Sequence, residues 1–323
     1  MPTIPDSNQD IAVAGVDSYA LVGEETNFGE QAAAINRQYG VVQRVTPLKR
    51  NNLLQIRGFK GSTTGGRSMI KARGGKLETG FSVEFQPSNF AWMEDVLGSV
   101  SGTGTSGDPF VYVKANTLPS YSISTSIDLG SVDQNVIFLG SIVNTCTIRA
   151  ALGEAAVVTL EYMSADVTKN NTMETPVALD TKDVFIFSGV TLEYPTGTTT
   201  DYVMDSFEVT ITNTAEIRYG LGSRIGKKGV AKQLEIGLRF TIDKEDNEFI
   251  EDFLGAASDP ADNPTRVATV QLAFTNSVTH SGTFAFTGIS IDEHTDEETY
   301  AEVIPEDITA IAEGLTVTEI ISA

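Results

Sequence analysis

Cysteine is almost missing from this chain of 323 residues: Cys146 stands alone, so no disulfide can form within one molecule. It sits in the alternating stretch IVNTCTIRA, which predicts a buried structural thiol rather than a nucleophile. Histidine is nearly as scarce. His280 and His294 both lie in polar surroundings, without a Ser or Cys partner context and without zinc spacing, which excludes catalytic triads and zinc chemistry. No apolar run is long enough to span a bilayer, and residues 1–36 contain neither Lys nor Arg nor an apolar core run. Neither a membrane span nor a secretory signal is therefore expected. Basic residues vanish again from 292 to the end, where ten acids stand.

What the chain does contain is one segment twice. Residues 76–98 read KLETGFSVEFQPSNFAWMEDVLG and residues 233–255 read QLEIGLRFTIDKEDNEFIEDFLG. Without a gap, Leu77, Glu78, Gly80, Glu94, Asp95, Leu97 and Gly98 recur as Leu234, Glu235, Gly237, Glu251, Asp252, Leu254 and Gly255. The spacing is about half the chain, so each copy can anchor one domain. Leu77, Thr79, Phe81, Val83 and Phe85 alternate with polar or small residues, as do Leu234, Ile236, Leu238, Phe240 and Ile242, which predicts a strand. Each run then changes period. Ser88 as N-cap with Trp92, Met93, Val96 and Leu97, and Asp246 with Phe249, Ile250, Phe253 and Leu254, predict short helices. Gly98 and Gly255 fit the left-handed position that stops each helix.

Weaker matches flank this core. Gln55-Ile56-Arg57 resembles Glu216-Ile217-Arg218, and Ser126-Ile127-Asp128 resembles Ser290-Ile291-Asp292. Further strands are predicted over 120–127, 142–149, 155–162, 184–193, 206–212, 266–274 and 283–291, separated by Gly, Asn, Asp, Pro or Thr clusters. With 41% hydrophobic residues the chain can bury two ordinary cores. The polar stretch 168–183 breaks the strand pattern and marks the junction between them.

Charge is unevenly spread. Residues 37–76 hold ten basic residues and no acid, residues 1–36 hold six acids, and 17 of the 22 basic residues fall within 37–76 and 218–244, equivalent places in the two copies. Acidic ends and basic hairpins suggest that one molecule's ends lie across a neighbour's hairpins, with complementary charge setting register. A formal net charge of -21 argues against a general DNA binder, because phosphate neutralisation dominates such affinity. Residues 61–68, GSTTGGRS, approach a phosphate-binding loop, but Arg67 replaces the required lysine and no apolar helix follows; a Gly-rich hairpin is expected. The acidic stretches 243–248 and 292–298 match no calcium loop.

Together, residues 76–98, LPSYSISTSID at 118–128, GSIVNTCTIRAALGEAAVVTLEYMSA at 140–165 and FEVTITNTAEIRYGLGSRIGKKGVAKQLEIGLRFTID at 207–243 resemble the tail tube (major tail) proteins of tailed bacterial or archaeal viruses. The likeness runs through roughly residues 40–292. It implies a mainly β chain with two tandem tail-tube-type β-sandwich domains, each with a short flanking α-helix, plus N- and C-terminal arms. On this sequence the parts are an arm at 1–37, a first tube domain at 38–170, a linker at 171–183, a second tube domain at 184–292 and an arm at 293–323.

The resemblance further implies a structural virion protein, not an enzyme, needing neither cofactor nor metal. Its principal partner is itself: related tubes form six-domain rings, so the duplication in this chain leads to the expectation of homotrimeric rings with pseudo-sixfold symmetry, stacked into a tube, the conduit for genome delivery. DNA passes through the lumen without specific binding, and no membrane is involved. Tail terminator, tape measure and baseplate proteins complete the partners, with assembly in the host cytoplasm and final residence in the virion tail. The hairpins at 58–75 and 222–229 become candidates for contacts between subunits, carried by Lys60, Arg67, Lys71, Arg73, Arg224, Lys227 and Lys228. Competing readings are the tube of a contractile injection or secretion system and a β-rich surface adhesin, with an NTPase as the remote enzymatic option.

Overall fold

Alternation of β-branched and aromatic residues with polar ones recurs along most of the chain, and strands follow from it. The computed structural model describes residues 18–56, 71–127, 134–170, 172, 174–175, 183–197, 202–257, 260–277, 280–296 and 304–321. The first half carries β1 (Ser18–Glu24), β2 (Val41–Arg50), β3 (Leu54–Ile56), β4 (Lys71–Arg73), β5 (Glu78–Gln86), α1 (Met93–Leu97), β6 (Gly98–Ser101), β7 (Phe110–Lys114), β8 (Tyr121–Ile127), β9 (Gln134–Ala151), β10 (Val157–Ser164) and β11 (Asp166–Asn170). The second carries β12 (Val190–Glu193), β13 (Met204–Thr212), β14 (Glu216–Tyr219), β15 (Gly226–Val230), β16 (Glu235–Asp243), α2 (Glu248–Leu254), β17 (Val267–Ser277), β18 (His280–Asp296) and β19 (Pro305–Ile321).

Antiparallel pairing links β1, β8, β9, β10, β5 and β2 in that order. It links β12, β17, β18, β19, β16 and β13 in the same way. Between β2 and β5 the chain inserts the hairpin β3–β4, and between β13 and β16 the hairpin β14–β15. Irregularities agree too. Gln43 is the extra residue where β2 meets β5, and Asp205 where β13 meets β16. Asn144 is skipped in β9 opposite β10, and Asp292 in β18 opposite β19. Asn52 (φ 34°) and Thr214 (φ 45°), the two non-glycine residues with positive φ among those described, each follow by two residues the end of β2 or β13.

β9 and β18 each serve two layers. The first part of β9 pairs with β8 and β11, and its second part with β10. Between them lies Gly140 at φ 60°, where an added Cβ would sit 2.9 Å from the Ala165 methyl; Gly288, at φ 64°, occupies the comparable bend in β18. Glycine meets the left-handed backbone that the change of layer demands. The layers face each other through Phe81 of β5 against Phe138 of β9 (ring centroids 5.8 Å apart) and through Phe207 of β13 against Phe274 of β17 (5.7 Å).

The expectation of two separate cores does not hold. β9 pairs with β13 from Ala151 opposite Ser206 to Thr145 opposite Thr212, so the inner layers of the two halves form one sheet. The apolar cluster is likewise continuous from Ala20 to Val317. At its centre Phe90 touches Phe185, Phe274 and Phe284 at centroid distances of 4.7, 5.5 and 5.2 Å.

Both strand-to-helix units form, and Gly98 (φ 90°) and Gly255 (φ 72°) stop their helices in the left-handed conformation. The caps differ from expectation. Ser88 is buried five residues before α1 begins, and no side chain caps that helix. Asp246 acts from just outside α2, its Oδ1 accepting the Glu248 amide at 2.9 Å. The repeated aspartates have matching tasks. Asp95 Oδ2 accepts the Tyr162 hydroxyl at 2.7 Å, and Asp252 Oδ2 accepts that of Tyr194 at 2.8 Å.

The ends of the chain are not free arms over their described residues. β1 pairs along its length with β8, burying Leu21 and Val22, and Ala32 and Ile35 are buried beyond it. β19 lies between β16 and β18, because Ile308, Ala310, Ala312, Leu315 and Val317 bring apolar surface into the core. The linker at 171–183 falls mostly outside the described residues. The echo of Ser126-Ile127-Asp128 in Ser290-Ile291-Asp292 has no counterpart in the pairing: Ser126 and Ile127 close β8, whereas Ser290 to Asp292 lie within β18, which pairs as β9 does.

Candidate assembly surface

Two of the open strand edges lie at the ends of the joined inner sheet. Among the described residues β2 pairs with β5 alone, and residues 290–296 of β18 pair with β19 alone. An unpaired edge presents a row of N–H and C=O groups to any passing strand. β2 carries Arg44, Lys49 and Arg50 and is exposed along most of its length. Pro47 removes one donor from it, a common way of limiting unwanted pairing. The β18 edge is acidic, with Asp292, Glu293 and Asp296. Lys244 Nζ holds Asp296 at 2.6 Å and Glu306 at 3.3 Å, and these bonds keep the Asp296 carboxyl below the usual range and the Lys244 ammonium above it.

The joined inner sheet also has an open face. Its far face is the core; the near one presents Ser82, Glu84, Thr159, Glu161, Thr145, Thr147, Glu208, Thr210 and Arg239, none of them buried. Several charges there are matched across strands, whereas Glu161 stands between Ser82 and Thr145. Arg44 NH2 lies 2.9 Å from Glu84, and Glu208 stands between Arg149 and Arg239 in the pairing. The face is polar and mixed in sign rather than uniformly acidic.

The hairpin β14–β15 folds back on the first half. Ile217 packs with Ile142 and Ala165, Tyr219 donates to Leu77 O at 2.7 Å, and Gly226 N donates to Ala165 O at 2.9 Å. Arg224, one of the contact candidates, is engaged within the chain: its Nε donates to Gly75 O at 2.8 Å and its NH2 to Asn51 Oδ1 at 2.7 Å. Lys227 and Lys228 are exposed on β15, and Arg73 is exposed at the end of β4. Lys71 opens β4, while Lys60 and Arg67, with the Gly-rich stretch 61–68, lie outside the described residues.

Both histidine side chains are packed inside the fold, each against a glutamate. His280 is buried against Phe185 with Nε2 3.2 Å from Glu319 Oε1, and His294 Nε2 lies 3.3 Å from Glu306 Oε1. Glu319 is fully buried and also accepts the Phe90 amide and the Tyr112 hydroxyl, each at 3.0 Å. This is a packed polar knot, not a cleft. Cys146 is buried in β9, where burial pushes its thiol far above the usual range and makes it unreactive.

The family follows from sequence comparison: a model described as phage tail tube protein matches residues 15–310. The chain belongs to the phage tail tube protein family. Membership implies a component of the virion tail that assembles with itself into a tube. No curated protein matches the chain. The open strand edges and the open sheet face lie apart from the hairpins on which the sequence placed its contact candidates. Arg44, Lys49, Arg50 and Glu293 lie on the open edges.

Proposed function

We propose that three copies of this chain close into a ring, that rings stack into the tail tube, and that the bore carries the viral genome. Each chain supplies two tube units, one built around β2, β5, β10 and β9 and the other around β13, β16, β19 and β18. The observation that carries this reading is the β9–β13 seam, at which the two halves already join edge to edge into one sheet. The shared pairing order of the halves supports treating them as repeated units.

Eight inner strands per chain and three chains make 24 strands. At ~4.8 Å per strand the circumference is about 115 Å and the diameter about 37 Å before strand tilt widens it. Such a bore admits a nucleic-acid duplex. The open sheet face would line it, and its cations are already matched to carboxylates, so phosphates meet threonines and neutralised pairs rather than a basic track. Passage without adhesion follows from that arrangement. The exposed Lys227 and Lys228 on β15, with Arg73 on β4, are proposed contacts between rings.

Electron micrographs of the purified protein test the reading. Stacked rings or tubes with an open bore are expected; particles that stay monomeric as concentration rises would refute it.

A further inference from the structure

The internal seam specifies how the ring should close. β2 and β13 correspond through their extra residues Gln43 and Asp205, so Arg50 stands where Thr212 stands, and Asn51 where Asn213 stands. β18 and β9 correspond through Asp292 and Asn144, so Glu293 takes the place of Thr145, and His294 that of Cys146. Inside the chain, Thr212 lies opposite Thr145 and Ile211 opposite Cys146. Resting on the self-assembly reading above, we propose that β2 of one copy pairs antiparallel with residues 290–296 of β18 in the next, setting Arg50 opposite Glu293 and Lys49 opposite His294.

Three observations support this occupant and this register. First, charge is complementary at the directly opposed pair, Arg50 and Glu293, whereas Arg44 and Asp296 are already held within the chain by Glu84 and Lys244. Opposite charges directly across an antiparallel pair are favourable, and like charges are not. Second, the seam inside the chain is closed by Asn213. Its amide N–H donates to Asn144 O at 2.8 Å, and its side chain to Val96 O at 3.0 Å and Val143 O at 3.4 Å. The corresponding Asn51 is exposed and precedes a positive-φ residue just as Asn213 does. In the next copy it would meet Asp292 O, Phe253 O and Ile291 O.

Third, the two helices are unequally covered. Met93, Val96 and Leu97 of α1 are buried, whereas in α2 Phe249 alone is buried and Phe253, two residues before the stop glycine as Val96 is, remains 37% exposed. Val96 lies beside Asn213 at the internal seam; Phe253 lacks that cover in a single copy. A neighbour's β2 and Asn51 would supply it.

The test is the full-length double variant Arg50→Cys with Glu293→Cys, assembled and oxidised. Directly opposed side chains have Cβ atoms ~4.5–5.5 Å apart, close to the reach of a disulfide. A ladder at two and three times the 34.6 kDa chain is expected on a non-reducing gel, absent from either single variant. It should be at least about tenfold weaker for Thr46→Cys with Glu293→Cys, which moves the thiol ~13 Å along the strand. Rings that form without the ladder would overturn this seam and leave self-assembly standing; a chain that never leaves the monomer would overturn both. As a second readout, Arg50→Glu and Glu293→Arg should each lower ring yield several-fold and together restore it. Failure of the pair to restore what the single changes removed would contradict the register.

Discussion

Replacing Asp95 with alanine should remove about 3 kcal/mol of folding stability, because it leaves the half-buried Arg37 cation and the buried Tyr162 hydroxyl without their partner. Asp95 has no exposed surface; its Oδ1 lies 2.5 Å from Arg37 NH2 and its Oδ2 accepts from Tyr162. Arg37 also donates to Ala91 O at 3.2 Å, and Tyr39 donates to the Tyr162 hydroxyl at 3.1 Å, so one carboxylate organises the entry to α1. Urea unfolding measures the loss. Asp95→Asn, which keeps one acceptor, should lose less. The double variant Arg37→Met with Asp95→Leu should recover most of the stability, since a buried ion pair replaced by apolar groups of similar size is often neutral. A loss below about 1 kcal/mol for Asp95→Ala would mean that water screens the pair.

Alkaline unfolding should be abrupt. Tyr39, Tyr162 and Tyr194 are buried, and burial first, then the nearby Asp95 or Asp252 carboxylate, pushes their hydroxyls far above the ordinary value. A group raised in the folded state contributes stability that is complete below its unfolded pKa, ~10 for tyrosine, and is lost as pH climbs toward the folded value. Each contributes a slope of about 1.4 kcal/mol per pH unit, so three give about 4. Against a net stability of ~5–15 kcal/mol, the fold should give way within a few pH units above ~10. Tyrosinate absorbance and loss of the β circular-dichroism signal should then rise together in one steep step. A gradual titration centred near pH 10 with the β signal intact would show that these hydroxyls reach solvent in the native state.

The duplicated segment was legible because it combines two periods and a stop: alternating Phe81, Val83 and Phe85, then helical spacing, then Gly98. Those are local signals, and β5–α1 and β16–α2 both formed. β2 was missed as a strand because Pro47 and three cations interrupt its alternation. Those are the features an edge strand carries, so the same residues that hid it mark its role. β19 was read within an acidic arm because ten acids dominate the last 32 residues; the alternation of Ile308, Ala310 and Ala312 was the better guide.

The histidines illustrate a different limit. His280 has polar sequence neighbours, yet it packs on Phe185 and meets Glu319, 39 positions away. Sequence distance conceals such pairs. The same holds for the open edges, since a free edge is defined by which strands do not pair. That depends on β9 joining β13 across the middle of the chain, which neither segment alone reveals.

The mass of the smallest closed ring, measured intact under native conditions, bears most directly on the account. Three chains of 34.6 kDa, about 104 kDa in all, are expected, with threefold symmetry in images of the same particles. A ring of six chains, or a particle that remains at the mass of one, would contradict it.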